Sequence, residues 1–281
     1  MINVLIHSRL GQEANAMRHI ILGCPVDDLA IEDLLDLVAR SLAGGIQQWY
    51  TSINVANWYA YTHYTRVAGL IDQAPLISVD GWPIYWASRI LYGIKIPRIP
   101  AMEFFDAVCR TFAGKPLRVY LLGGRPGVPE LAGSRLLLLY PGLQVVGQHH
   151  GYLTTLTEQE AVLSDIQTSG ADLLVLGMGT PREQSWLTHN LARSSIRFAL
   201  GIGGGLDILA GLNSRAPIWM QRTGLEWLYR LVQEPMRLGP RYATTSWAFF
   251  NTCVRTVLVS ALDLKHQRDP ADRSTSTKKG A

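Results

Sequence analysis

LRVYLLGGRPG, from Leu117 to Gly127, decides the fold. Leu117 to Leu122 is a β-prone run, apolar except for Arg118, too short for a free-standing helix and suited to a strand of a covered sheet. Gly123-Gly124-Arg125-Pro126-Gly127 then breaks it, and a helical pattern follows to Tyr140. Working outward, the same unit recurs. Toward the C-terminus, Leu143 to Gln148 is a strand closed by His149-His150-Gly151-Tyr152. A helix opens at Thr157, with Glu160 three residues on as a capping box. Ala171 to Gly177 is a strand, Pro181 to Ala192 a helix, and Ile196 to Ile202 a strand running into Gly203-Gly204-Gly205. Toward the N-terminus, Pro75 to Gly81 is a buried strand ending on Asp80-Gly81, and Gln48 to Ile53 is a strand leading into one helix over 55–71. Helical patterns cover 31–43, 84–91 and 102–112, with a Pro-bounded loop carrying Arg98 between the last two. His19 to Gly23 is a short strand, and Cys24-Pro25 reads as a turn. Strands alternating with helices at this rhythm predict an α/β fold: a mainly parallel, Rossmann-like sheet with helices on both faces.

The pattern stops near Asn213. RAPIWMQRTGLEWLYRLVQEPMRLGPRY, Arg215 to Tyr242, sets five arginines against Glu226 and Glu234 among Trp219, Trp227 and Tyr229. Read as one helix over 217–232, it puts Arg222, Glu226 and Arg230 on one stripe at i, i+4 spacing. Such a stripe is either a solvated salt-bridge face or a set of cations for a diphosphate. The chain thus divides into a leader over 1–18, an α/β core over 19–214, a basic helical C-terminal appendage over 215–264 and a polar, disordered tail over 265–281.

Composition narrows the function classes. With 281 residues, 48% hydrophobic content and a formal net charge of +4, the chain is folded and only mildly basic. A phosphate-bearing or anionic-surface partner fits that better than nucleic acid. Cys24, Cys109 and Cys253 lie far apart outside any CxxC, which indicates neither a disulfide framework nor a zinc site and fits a reducing cytosol. The N-terminus lacks a signal-peptide h-region. The apolar run from Trp247 to Leu262 is interrupted by Asn251 and Arg255, and is shorter than the ~20 residues of a spanning helix.

The candidate site residues each carry two readings. Glycine-rich strand ends at 123–127 and 201–205 suit tight turns or a backbone approaching phosphate, but neither matches GxGxxG or a P-loop. That absence argues against a nicotinamide-dependent oxidoreductase. His149-His150 has no third ligand at useful spacing, so no metal and no cofactor are expected. Asp80 and Asp207 each follow an apolar strand, where a carboxylate caps the next helix or serves as a general base.

Taken together, Ser52-Ile53-Asn54, Asp80-Gly81, Tyr140-Pro141-Gly142, His150-Gly151-Tyr152, Gly177-Met178-Gly179-Thr180-Pro181 with Trp186, Gly201 to Gly204 with Asp207, Arg215-Ala216-Pro217, Gly224-Leu225-Glu226-Trp227, Arg230-Leu231 and Glu234-Pro235 resemble the WecG/TagA/CpsF family of bacterial glycosyltransferases over residues 20–242. The resemblance implies inverting, metal-independent transfer of a sugar from a UDP-sugar to a polyprenyl-diphosphate-linked saccharide. The enzyme would work at the cytosolic face of the membrane in cell-surface polysaccharide synthesis. It implies Asp80 as catalytic base, Ser52, Asn54 and Arg98 as active-site contacts, and Asp207 as a nucleotide contact beside Gly203 and Gly204. Arg230, Arg237 and Arg241 would be the cations that close over the diphosphate. Where the family reads Pro-Lys-Gln-Glu, this chain reads Pro181-Arg182-Glu183-Gln184, so Glu183 stands where the nucleobase-contacting amide is expected and Gln184 follows it. Ala101 and Glu103 replace the usual glycine and shorter acid after Arg98. The amphipathic stretch 247–262 would meet the membrane, or pack on the core or on a second copy of the chain. A non-catalytic nucleotide-sugar-binding regulator on the same fold is the alternative.

Overall fold

The computed structural model describes residues 6–7 and 17–268. The rest of the expected leader, and the expected tail beyond residue 268, lie outside the described residues.

The chain opens with a small antiparallel sheet of β1 (Ile6–His7), β2 (Met17–Ile21) and β3 (Cys24–Asp28). The turn falls earlier than the sequence reading placed it. Leu22 and Gly23 both take positive φ, 49° and 82°, which is the two-residue hairpin conformation, so Cys24 and Pro25 are already strand. Across this hairpin Arg18 forms a buried bidentate pair with Asp27, at 2.7 and 2.9 Å. The same guanidinium donates to the carbonyls of Ala74 and Pro75, and Asp27 accepts from the Ile77 amide at 2.8 Å. Both partners of the pair thus carry further hydrogen bonds to the backbone, which offset the cost of burying the two charges.

After α1 (Ile31–Leu42) come β4 (Gln48–Ile53), α2 (Val55–His63), α3 (Thr65–Ile71), β5 (Leu76–Val79), α4 (Trp82–Tyr92), α5 (Ala101–Phe112), β6 (Leu117–Gly123), α6 (Val128–Leu139), β7 (Leu143–His149), α7 (Leu156–Ser169), β8 (Leu173–Gly177), α8 (Arg182–Asn190), β9 (Phe198–Gly201) and α9 (Gly205–Leu209). The six strands from β4 to β9 form one parallel sheet in the order β5-β4-β9-β8-β6-β7. Their side chains alternate between two cores. Tyr50, Leu76, Val119, Leu121, Val175 and Leu200 pack under α1, α5 and α6, whereas Trp49, Ile77, Tyr120, Leu122, Leu174 and Ala199 pack with buried residues of α2, α3, α7 and α8. Burial on both faces is what the continuous apolar runs require. The fold is α/β and Rossmann-like, as the alternation predicts.

Local details depart from the sequence reading where side chains compete with the helical ladder. The 55–71 segment is two helices, because Tyr64 leaves helical φ/ψ (−127°, 103°) just after the Thr62 hydroxyl has turned back onto the Trp58 and Tyr59 carbonyls. The capping box is Thr155 with Glu158, two residues before the expected Thr157: Glu158 accepts from the Thr155 amide while its own amide donates to Thr155 Oγ1. The basic segment is likewise broken. Gly224, at φ 81°, ends α10 (Ile218–Thr223) and separates it from α11 (Glu226–Gln233), so Arg222 leaves the stripe while Arg230 and Glu226 stay paired at 3.6 Å. The long α12 (Pro235–Arg268) follows, and its Phe249 inserts edge-on against buried Trp58, ring centroids 5.0 Å apart. Trp247, Phe250, Val257, Leu258 and Leu262 of α12 remain exposed. Among the described residues no helix is long and apolar enough to cross a membrane.

Candidate active site

A parallel sheet collects all its carboxyl strand ends on one edge, where α/β proteins bind ligands. Here the edge holds Asn54 after β4, Asp80 after β5, the glycine turn 123–127 after β6, Met178 to Thr180 after β8 and Ile202 to Gly204 after β9. β4 and β5 end together. The Asp80 and Gly81 amides both donate to the Ile53 carbonyl, and a Cβ on Gly81 would stand 3.3 Å from Asn54 Cα. Asn54 caps α2, its Oδ1 accepting from the Ala56 and Asn57 amides at 3.0 Å, while buried Ser52 lends its carbonyl to Asn57 Nδ2. Arg98 is fixed alongside by a bridge pairing it with Val79, and its Nη1 donates to the Asp80 carbonyl at 3.2 Å.

Asp80 is the electrostatic centre of this corner. Burial pushes its carboxyl up to about 6; Arg230 and Arg98 pull it down, whereas Glu226 and Glu103 push it up. A carboxyl held near neutrality is poised to take a proton. Arg230 thus reaches Asp80 electrostatically from the C-terminal segment.

Trp82 joins that segment to the corner. Its indole lies under the Arg98 guanidinium at 4.9 Å and donates from Nε1 to the Gln221 carbonyl at 3.0 Å. The Gly224 turn rests on it, since a Cβ there would stand 3.1 Å from Trp82 Cδ1. Glu103 adds a second tie, 3.5 Å from Arg98 and 3.2 Å from Arg215.

Farther along the edge, Asp207 is raised by burial and drawn down by Arg125 of the first glycine turn and Arg237 of α12. Arg237 pairs with Glu234, and Glu234 also accepts from Asn213 Nδ2 at 3.2 Å. Arg241 is lowered by desolvation and then by the positive charges of Arg237 and Arg230. Arg230 and Arg237 thus both act on Arg241, while each of the two already faces a carboxylate, Glu226 and Glu234 respectively.

Glu183 and Gln184 sit differently from the expected nucleobase contacts. Both are buried, at 4% and 2% exposure. Glu183 Oε1 accepts from the amides of Met178, Gly179 and Gly203, and Gln184 Nε2 donates to Thr51 Oγ1. Above them the edge is open: a Cβ on Gly179, Gly203 or Gly204 would meet nothing within 4 Å. The edge therefore brings together Asp80, Asn54, Arg98 and Arg230 at one end, and Asp207, Gly203, Gly204 and Arg237 at the other. Trp82 and Arg125 were missed from sequence. Trp82 follows Asp80-Gly81 directly, and Arg125 lies inside a glycine turn; neither has a motif of its own.

The chain as a whole is similar to known proteins. The chain is 28% identical over 232 residues to a protein of Staphylococcus aureus (strain MRSA252) named N-acetylglucosaminyldiphosphoundecaprenol N-acetyl-beta-D-mannosaminyltransferase, covering 81% of this chain and 89% of that one. The proteins of the same name in strains MW2 and NCTC 8325 / PS 47 match to the same extent. The model of the glycosyl transferase WecG/TagA/CpsF family matches residues 19–262, and the chain belongs to that family of glycosyltransferases.

Proposed function

We propose that the protein transfers a sugar from a UDP-sugar to a saccharide carried on a polyprenyl diphosphate, with inversion at the anomeric carbon and without a divalent ion. The observation that carries this reading is Asp80, half-buried at the end of β5, raised to about 6 and facing Arg230 and Arg98. Asp80 accepts the proton of an acceptor hydroxyl as that oxygen forms its bond to the anomeric carbon. On the opposite face the bond from the anomeric carbon to the diphosphate oxygen breaks, and UDP leaves with the electron pair. Displacement from the opposite face inverts the centre. The charge growing on the departing diphosphate falls to Arg230, Arg237 and Arg241, with Asp207, Gly203 and Gly204 lining the nucleotide side. Ser52 and Asn54 contact the donor sugar. The names of the relatives motivate the lipid-diphosphate acceptor, and a cell-surface polysaccharide is the destination such an acceptor suits.

Such an acceptor lies at a membrane. The exposed apolar residues of α12 give the protein a peripheral attachment to the inner face of the cell membrane. In the same reading α10 to α12 form the closing element that brings arginines to the diphosphate. The deciding experiment offers a panel of UDP-sugars with synthetic prenyl-diphosphate-linked mono- and disaccharides and reads product mass. A product heavier by one sugar is expected, and no transfer with any pair would overturn the reading.

A further inference from the structure

Glu183 is the most enclosed acid on the sheet edge, and its surroundings are unlike those of a ligand contact. One oxygen, Oε1, accepts three backbone N–H groups, from Met178 at 3.0 Å, Gly179 at 2.9 Å and Gly203 at 2.9 Å. The first two belong to the turn after β8, the third to the turn after β9. The other oxygen faces Gly201. The three atoms nearest to a Cβ built on Gly201 are all from Glu183, and Oε2 would collide with it. Gly201 has no positive φ, so the glycine is required here by the carboxyl rather than by the backbone. Gly179 and Gly203, by contrast, adopt φ of 72° and 53° and face open space. A turn of that kind is held by what lies beneath it, and beneath both turns lies the same carboxyl.

We propose that Glu183 is a positioning residue of the donor site: its carboxyl, from under the glycine turns, ties the ends of β8 and β9 into one surface for the donor nucleotide and does not itself read the base. The inference rests on the donor-site reading for its ligand, but its structural half stands on these hydrogen bonds alone. Burial raises Glu183 to about 7 while the three amides pull it down, as expected for an acid whose acceptor capacity is used inside the protein. Neighbouring Gln184 is taken up in the same interior, on Thr51 of β4.

The test uses the full chain with two readouts. Hydrogen–deuterium exchange follows peptides covering 177–181 and 201–205, and calorimetry follows UDP binding. In Glu183→Ala, exchange at the Met178, Gly179 and Gly203 amides should rise at least about tenfold, and UDP affinity should fall by a similar factor. Glu183→Gln keeps an acceptor oxygen in place and should restore both to within about threefold. Gly201→Ala keeps Glu183 but displaces its carboxyl, and should raise exchange at the same amides; it decides the matter if Glu183→Ala does not fold. Unchanged exchange in Glu183→Ala and in Gly201→Ala overturns the proposal. So does a change in preference between UDP and CDP in Glu183→Gln with exchange unaltered, the signature of direct base reading. If the wild-type chain binds no UDP, the donor reading falls, while the exchange arm still decides the role of Glu183.

Discussion

Asp80 carries the sharpest consequences at the scale of single residues. With Asp80 as the proposed base and its carboxyl raised to about 6, kcat/KM should climb tenfold per pH unit below about 6 and level above it, in a pH–rate profile. Arg230 is the largest charge holding that value down, so Arg230→Gln should move the acidic limb to higher pH as well as weaken diphosphate binding. The same carboxyl is a liability to the fold. Its pKa rises from the ordinary 3.8 to about 6 on folding, so between those values the native state binds more protons than the unfolded chain and stability falls as pH rises. Asp80→Asn removes the penalty. It should abolish transfer, yet raise stability at about pH 8 by on the order of 1–3 kcal/mol, with no gain near pH 3, as thermal melts at the two pH values would show. A variant less stable at pH 8 would contradict the assigned environment.

Among the elements, the α10–α11 turn is the joint of the proposed closing segment, seated on Trp82. Gly224 combines φ of 81° with close contact to Trp82, and a side chain there meets both strain and the indole. Gly224→Ala should cost about 1 kcal/mol or more at the joint, raising KM for the donor several-fold while leaving the sheet's melting temperature nearly unchanged. Trp82→Phe keeps a ring under Arg98 but removes the donor to Gln221 and should act in the same direction, more weakly. These elements also show what was legible beforehand. β4 was readable residue for residue, because its Trp, Tyr, Thr and Ile are β-prone and Asn54, the cap of the next helix, closes it. The hairpin at Leu22-Gly23 was hidden, since a leucine with positive φ has no sequence signal and Pro25 imitates a turn. The break at Gly224 was masked by amphipathic residues on either side of it. The places of Asp80 and Asn54 just after β5 and β4 were legible, but the inward fate of Glu183 was not, because its partners are backbone amides that composition cannot reveal.

Across the whole molecule, α12 has two characters that mutation can separate. Phe249 is 9% exposed and packed against Trp58, so Phe249→Ala should cost about 3 kcal/mol and lower the melting temperature. Trp247 and Phe250 are 67% and 58% exposed, and changing both to Ser should leave stability alone while reducing co-flotation with anionic vesicles. Equal flotation of that variant and the wild type would remove α12 from the membrane reading. The hairpin at the other end of the chain bears on chemistry at a distance. Arg18 and Asp27 clamp Ala74, Pro75 and Ile77, the near end of the strand whose far end presents Asp80. The proposed base is in effect mounted on a cantilever, bolted at its root by one ion pair. A chain cut back past Asp27 would retain Asp80, its arginines and the glycine turns, and would fail for want of the mounting.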